Sequence, residues 1–128
     1  MIKKLENLNS LLITNSTDQN MNKVIRDTLQ DMGSLQIFHS DETLIAYDTY
    51  DLVIIDAGSV ADPTKSVTKI HAEDPKVKII VVSASPHWKV AKATIRAGAA
   101  DYLSKCLTKD EITEALQKIF KESITAMR

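Results

Sequence analysis

Three residues of different chemistry close three apolar runs of this chain. Asp56 ends "DLVIID", Ser83 ends "KIIVVS", and Lys105 follows "DYLS". A carboxylate, a hydroxyl and an amine form a site only where the fold brings the ends of the runs together. Taken singly, each is ordinary. Asp56 reads equally well as a strand-terminating or helix-capping aspartate and Ser83 as a loop serine. Lys105 reads as a surface lysine whose stem lies along apolar surface. A fourth run, "SLLIT", is followed by Asn15 and Ser16, which are polar but uncharged.

The elements that must position these residues are legible in the hydrophobic pattern. "DLVIID" holds four consecutive apolar residues, three of them β-branched, and "VKIIVVSA" repeats the pattern without alternation. Such runs describe strands buried on both faces. "SLLIT", "LQIF" and "ADYLS" are three further short strands. Between them lie helical periodicities. Met21, Val24, Ile25, Leu29 and Met32 recur at spacings of three or four before Gly33 supplies a stop. "SDETLIAYDTY" reads as a weaker helix, with Leu44, Ile45 and Tyr47 as core contacts. Asp62 and Pro63 are an N-cap and N1 pair for a third helix carrying Val67 and Ile70, which ends at Pro75. The fourth helix runs from Pro86 to Ala97 on Val90, Ala91, Thr94 and Ile95, and Gly98 closes it. "TKDE", Thr108 to Glu111, matches a capping box for a fifth helix that buries Ile112, Ala115, Leu116, Ile119 and Phe120.

Five strands alternating with five helices point to an α/β fold with a parallel sheet covered on both faces. For this length the expected arrangement is a doubly wound, flavodoxin-like five-stranded sheet of order 2-1-3-4-5. Ligands of such sheets sit beyond the carboxyl ends of the strands. That edge is where Asn15, Ser16, Asp56, Ser83 and Lys105 would meet.

Composition bounds the rest. The chain has 128 residues and is 44% hydrophobic, enough for one core, and no linker or repeat divides it. A single domain over 1–128 is expected, with its core over about 9–121. Sixteen basic and seventeen acidic residues leave a formal charge of -1, with no basic block, which argues against nucleic-acid binding by this domain. One cysteine, Cys106, cannot form an internal disulfide. No leader pattern opens the chain, and no apolar stretch approaches the roughly 20 residues of a membrane span. A cytoplasmic protein that does not enter a membrane is the expectation.

With these residues in view the chain resembles the receiver domain of two-component response regulators. The resemblance is carried by "DLVIIDAG", "KIIVVSAS" and "ATIRAGAADYLSKCLTKDEI" and covers nearly the whole length. It implies that Asp56 is the phosphoacceptor, that the Ser83 hydroxyl contacts the acyl phosphate, and that Lys105 is its counter-cation. Ser83 and Tyr102 become the switch pair, and the backbone carbonyl of Gly58 a ligand for Mg²⁺ beside Asp56. A histidine kinase or phosphotransfer protein would supply the phosphoryl group. The face of the fourth helix, fifth strand and fifth helix would pass the signal to a downstream output protein, and a second copy of the chain is a further candidate for that face. The resemblance implies a phosphoacceptor signalling domain rather than an enzyme.

The sequence departs from the family pattern in three places. The two residues after "LLIT" are acidic in the family; here they are Asn15 and Ser16. Two charges at about 4 Å interact by on the order of 4 kcal/mol near a protein surface, and about 1.4 kcal/mol is tenfold in affinity. Mg²⁺ is therefore expected to bind weakly or not at all, with the neutral oxygens of Asn15 and Ser16 as weak ligands. Asp18 is a substitute ligand, though it reads better as a first-turn acid. Cys106 stands where the family has proline, so a trans Lys105–Cys106 bond is expected, since a non-proline cis bond costs about 2.5–4 kcal/mol. That bond is expected to move the ammonium away from Asp56. Val60 replaces a second family proline. A phosphorylation-independent pseudo-receiver that acts as an interaction module is the alternative to the phosphoacceptor. A flavin-binding protein of the same topology is disfavoured, because no Ser/Thr/Gly-rich phosphate loop follows the first strand.

Trp88 opens the fourth helix as a partner contact or as packing over the sheet end. Lys89, Lys92 and Arg96 make that helix basic. His39, His71 and His87 have no metal-ligand spacing, and Cys106 reads as a partly buried, inert thiol.

Overall fold

The computed structural model describes residues 7–16, 22–39 and 44–126, with side chains to Phe120. Five parallel strands form one sheet of order β2-β1-β3-β4-β5. They are β1 (Leu8–Ile13), β2 (Gly33–Phe38), β3 (Leu52–Asp56), β4 (Lys78–Ser83) and β5 (Asp101–Ser104). The α-helices are α1 (Lys23–Met32), α2 (Pro63–Glu73), α3 (Trp88–Ala97) and α4 (Lys109–Ala126). The doubly wound order expected from the sequence is the one observed.

The unbroken apolar runs are explained by two cores, one on each side of the sheet. Leu52, Ile54, Ile80 and Val82 face α1 and α4, packing with residues such as Leu29 and Leu116. Their neighbours Val53, Ile55, Ile79 and Val81 face the opposite way, toward Val67 and Ile70 of α2. Side chains alternate between faces along a strand, so a run apolar at every position supplies both cores at once.

Local signals hold where hydrogen bonds can be named. The Asp62 carboxylate caps α2 by accepting from Thr64 N and Lys65 N. At α4, Glu111 N donates to Thr108 Oγ1, and Thr108 N donates back to Glu111 Oε1, the reciprocal pattern of a capping box. Gly33 joins α1 directly to β2, where a β-carbon would run into the backbone of Leu8.

The second predicted helix is not formed over residues 44–51. A single 3₁₀ turn, Tyr47–Thr49, stands there, and the start of the predicted segment, Ser40 to Thr43, lies outside the described residues. Ile45 and Tyr47 are both in the core while Leu44 is fully exposed. Burial at a spacing of two suits extended chain better than helix. The chain is then drawn to the sheet as Asp51 N donates to Asn9 O. The described residues therefore hold four α-helices, and the predicted fourth and fifth helices are α3 and α4.

Two apolar assignments are also corrected. Val24 is exposed on α1, and Ile95 is 48% exposed on α3. The sheet-facing residue of α3 is Thr94, whose hydroxyl donates to Val90 O and Ala91 O and so can be buried without an unmet hydrogen bond. Met21 lies outside the described residues. No helix among the described residues is long and apolar enough to cross a membrane.

Candidate functional site

Strand register assembles the site. Ile13 is paired with Ile55, Asp56 with Val82, and Ser83 with Ser104, so the carboxyl ends of β1, β3, β4 and β5 lie along one edge. A cleft of about 400 Å³ opens there, lined by Asn15, Ser16, Asp56, Gly58, Ser83 and Lys105 among others. Every site residue named from the sequence that lies among the described residues, except Tyr102, is on this lining. Tyr102 pairs with Val81 in β5 and packs, half-buried, against the core that faces α2.

Lys105 Nζ lies 2.8 Å from Asp56 Oδ1, and the two side chains are only 6% and 4% exposed. The expectation that the residue after Lys105 would carry the ammonium away is therefore wrong, although the Lys105–Cys106 bond is trans, as expected, with no cis peptide bond among the described residues. The reason is an anchor elsewhere. Lys105 N donates to Ser83 O at 3.0 Å, which fixes the backbone beyond β5 to the end of β4, and the long lysine stem reaches the carboxylate from there. Cys106 is exposed rather than partly buried.

The remaining lone pairs of Asp56 are also engaged. Gly58 N donates to Oδ1 at 3.3 Å, within a 3₁₀ turn over Ala57–Ser59 that Asp56 caps. Thr14 Oγ1 donates to Oδ2 at 2.8 Å, and Ser59 Oγ lies 3.0 Å from the same oxygen. Ser59 Oγ is also 2.9 Å from Asn15 Oδ1 and accepts from Asn15 N. Burial pushes the Asp56 carboxyl up, but hydrogen bonds from Lys105 and Thr14, the Lys105 charge and the Ser59 hydroxyl outweigh it, and the net shift is downward. Asp56 is thus held ionised. Ser83 Oγ accepts from Ser85 N, shaping the loop after β4.

Thr14, Asn22 and Ser59 were not singled out by the sequence. Thr14 is buried beyond the end of β1 and accepts from Asn22 Nδ2 at 3.1 Å and from Ser16 N at 3.2 Å. The available signal was a polar residue ending an apolar strand and a hydroxyl three residues after an aspartate that starts a turn. Asp18 lies outside the described residues. Among the described residues, no group of three or more His, Cys, Asp or Glu is placed to hold a metal ion.

The model of the response regulator receiver domain matches residues 13–117. This chain belongs to the receiver domain family. It is 27% identical over 107 residues to the chemotaxis protein CheY of Listeria monocytogenes, a match that spans 79% of this chain and 90% of that protein. A response regulator from Thermotoga maritima has the same fold, with a TM-score of 0.70 at 21% identity over 88% of this chain and 97% of that one. So has a response regulator from Burkholderia pseudomallei that was crystallised with a phosphorylated aspartic acid, calcium ion and citrate. Its TM-score is 0.70 at 19% identity, over 94% of this chain and 72% of that one. Receiver domains are signalling modules of two-component systems that work with histidine kinases and output domains, and this chain is one of them.

Proposed function

We propose that this receiver accepts a phosphoryl group on Asp56 from a histidine kinase or phosphotransfer protein. It then signals to an output protein through the face of α3, β5 and α4. The observation that carries this reading is the buried 2.8 Å pair of Asp56 and Lys105 on the same cleft as Ser83. Phosphoryl transfer asks of a protein mainly positioning and neutralisation of charge. The depressed pKa keeps the Asp56 nucleophile ionised. Lys105 is the cation available to an incoming anionic group, and Ser83 offers a hydroxyl at the cleft wall. Half-buried Tyr102 is the aromatic whose repacking would carry the change to α4. Such a response is a shift between populations, driven by contacts that differ between the two states.

The residues present do not fit a resident Mg²⁺. Among the described residues, Asp56 is the single carboxylate on the cleft, Lys105 balances its charge, and both its oxygens already accept hydrogen bonds. Mg²⁺ favours carboxylates together with phosphate oxygens; Asn15 and Ser16 supply only neutral atoms, and the former's Oδ1 is within reach of the Ser59 hydroxyl. Weak Mg²⁺ binding is part of this proposal.

The same observation favours a second reading, in which the domain is a pseudo-receiver that binds its partner without phosphorylation. Incubation with beryllium fluoride and Mg²⁺, followed by fluorine NMR and by Trp88 fluorescence, separates the two. A bound adduct lost in Asp56→Asn supports the phosphoacceptor. A folded domain that forms no adduct at millimolar metal supports the pseudo-receiver.

A further inference from the structure

The Asp56 carboxylate is held asymmetrically. Oδ1 takes the Lys105 ammonium and the Gly58 amide, whereas Oδ2 takes only hydroxyls, from Thr14 and Ser59. The Thr14 hydroxyl is committed to this contact. Its oxygen already accepts from Asn22 Nδ2 and Ser16 N, so its one proton is left to point at Asp56 Oδ2, 2.8 Å away, or at Ser59 Oγ, 3.3 Å away. Ser59 is less committed, since its one proton is shared between Asp56 Oδ2 and Asn15 Oδ1. Thr14 and Asn22 are buried and Ser59 is half-buried, so the frame is built from packed side chains on three separate segments.

We propose that Thr14, oriented by Asn22, and Ser59 are positioning residues that fix Oδ2 as the carbonyl oxygen of the phosphorylated state and leave Oδ1 as the nucleophile. This inference rests on Asp56 being the phosphoacceptor. With phosphoramidate as donor, the Lys105 ammonium passes from Oδ1 to the incoming phosphoryl oxygens, and the lone pair it frees on Oδ1 forms the bond to phosphorus. The P–N bond breaks with its electron pair on nitrogen, and the protonated amine leaves as ammonia. Negative charge on the carboxylate collapses into the C=O bond at Oδ2, where the two hydroxyls remain as donors. A fixed donor costs no reorganisation during the reaction. Two hydroxyls on one oxygen also do part of what a cation would do there, with Lys105 the cation among the described residues of the cleft.

The test uses the full chain with phosphoramidate in Mg²⁺-containing buffer, read by intact-protein mass spectrometry. The side-chain carboxyl of Asp56 is titrated separately by ¹³C NMR in metal-free buffer. Thr14→Val and Ser59→Ala should each slow phosphorylation at saturating donor by about tenfold, because the carboxylate is then no longer held with Oδ1 turned toward the donor. They should also raise the pH at which Asp56 titrates, with Lys105, the other charged group among the described residues of the cleft, untouched. Thr14→Ser should restore both readouts. Ser59→Ala, at a half-buried turn, keeps the test decisive if Thr14→Val fails to fold. Variants that react as fast as wild type and titrate at the same pH would overturn the positioning role. A wild-type domain that takes up no phosphoryl group defeats the phosphoacceptor reading itself, and the positioning role falls with it.

Discussion

Lys105 Nζ and Asp56 Oδ1 form a 2.8 Å ion pair that is almost wholly withdrawn from solvent. A pair of this kind is costly to break from one side, because the partner left behind stays buried and charged. Lys105→Met should therefore destabilise the domain at neutral pH by about 3 kcal/mol, measured by urea denaturation. Adding Asp56→Asn to Lys105→Met should recover much of the loss, since no charge then remains inside. A single-variant cost below about 1 kcal/mol, the range of an exposed pair, would mean that water reaches the pair in solution.

The same pair sets the acid sensitivity of the fold. The folded-state pKa of Asp56 lies below the usual aspartate value of 3.8. Its contribution to stability is therefore fully present above that value and is lost as the pH falls through the depressed one, because the unfolded chain binds the proton first. Denaturation followed from neutral to strongly acidic pH should show wild type losing stability more steeply than Asp56→Asn below about pH 4. Parallel curves would assign the acid transition to other carboxylates. Asp27, beside Lys23 on the surface of α1, is also shifted down, but it is present in both proteins and cancels in the comparison.

Restoring acids at the end of β1 tests what their absence does. Asn15→Asp with Ser16→Asp puts two carboxylates on the cleft that Asp56 lines. Mg²⁺ affinity, measured by isothermal titration calorimetry, should rise by about a hundredfold or more. The like charges should also push the Asp56 pKa upward in metal-free buffer. The new carboxylate at position 15 would compete with Asp56 for the Ser59 proton, now shared with Asn15 Oδ1. If affinity does not change, the missing charge at positions 15 and 16 is not what governs Mg²⁺ binding, and the proposed weakness of that binding loses its stated cause.

What the sequence made legible follows from how local each cause is. The runs ending in Asp56 and Ser83 could be read as doubly buried strands because every position in them feeds one of two cores. Once the strand order was right, Asp56, Ser83 and Lys105 had to converge. The position of the Lys105 ammonium was not legible, because it is set by a backbone bond to Ser83, between segments whose spacing no local pattern encodes. The Thr14 to Asp56 hydrogen bond spans 42 residues, and a threonine closing an apolar strand looks the same with or without such a partner. The segment around Tyr47 misled because its apolar residues fit a weak helical pattern, while the competing cause, the pull of Asp51 toward Asn9, lies across the sheet.

Gly98 offers a test of how α2 and α3 are held together. It ends α3 at φ 128°, with its N–H donating to Ile95 O, and a β-carbon there would stand 2.7 Å from the His71 ring of α2. Gly98→Ala thus meets two separate penalties, a positive φ that L-residues rarely adopt and a collision with imidazole, together costing about 2–3 kcal/mol. His71→Ala removes the ring contacts, keeps its own β-carbon 3.1 Å away, and leaves the first penalty untouched. Thermal or urea denaturation of the two single variants and the double variant should show His71→Ala nearly neutral, Gly98→Ala clearly destabilised, and the double variant recovering about half of that loss. Full recovery would assign the whole cost to the collision and none to the backbone. No recovery would mean that the glycine is required by its conformation alone, and that the imidazole gives way freely to a β-carbon.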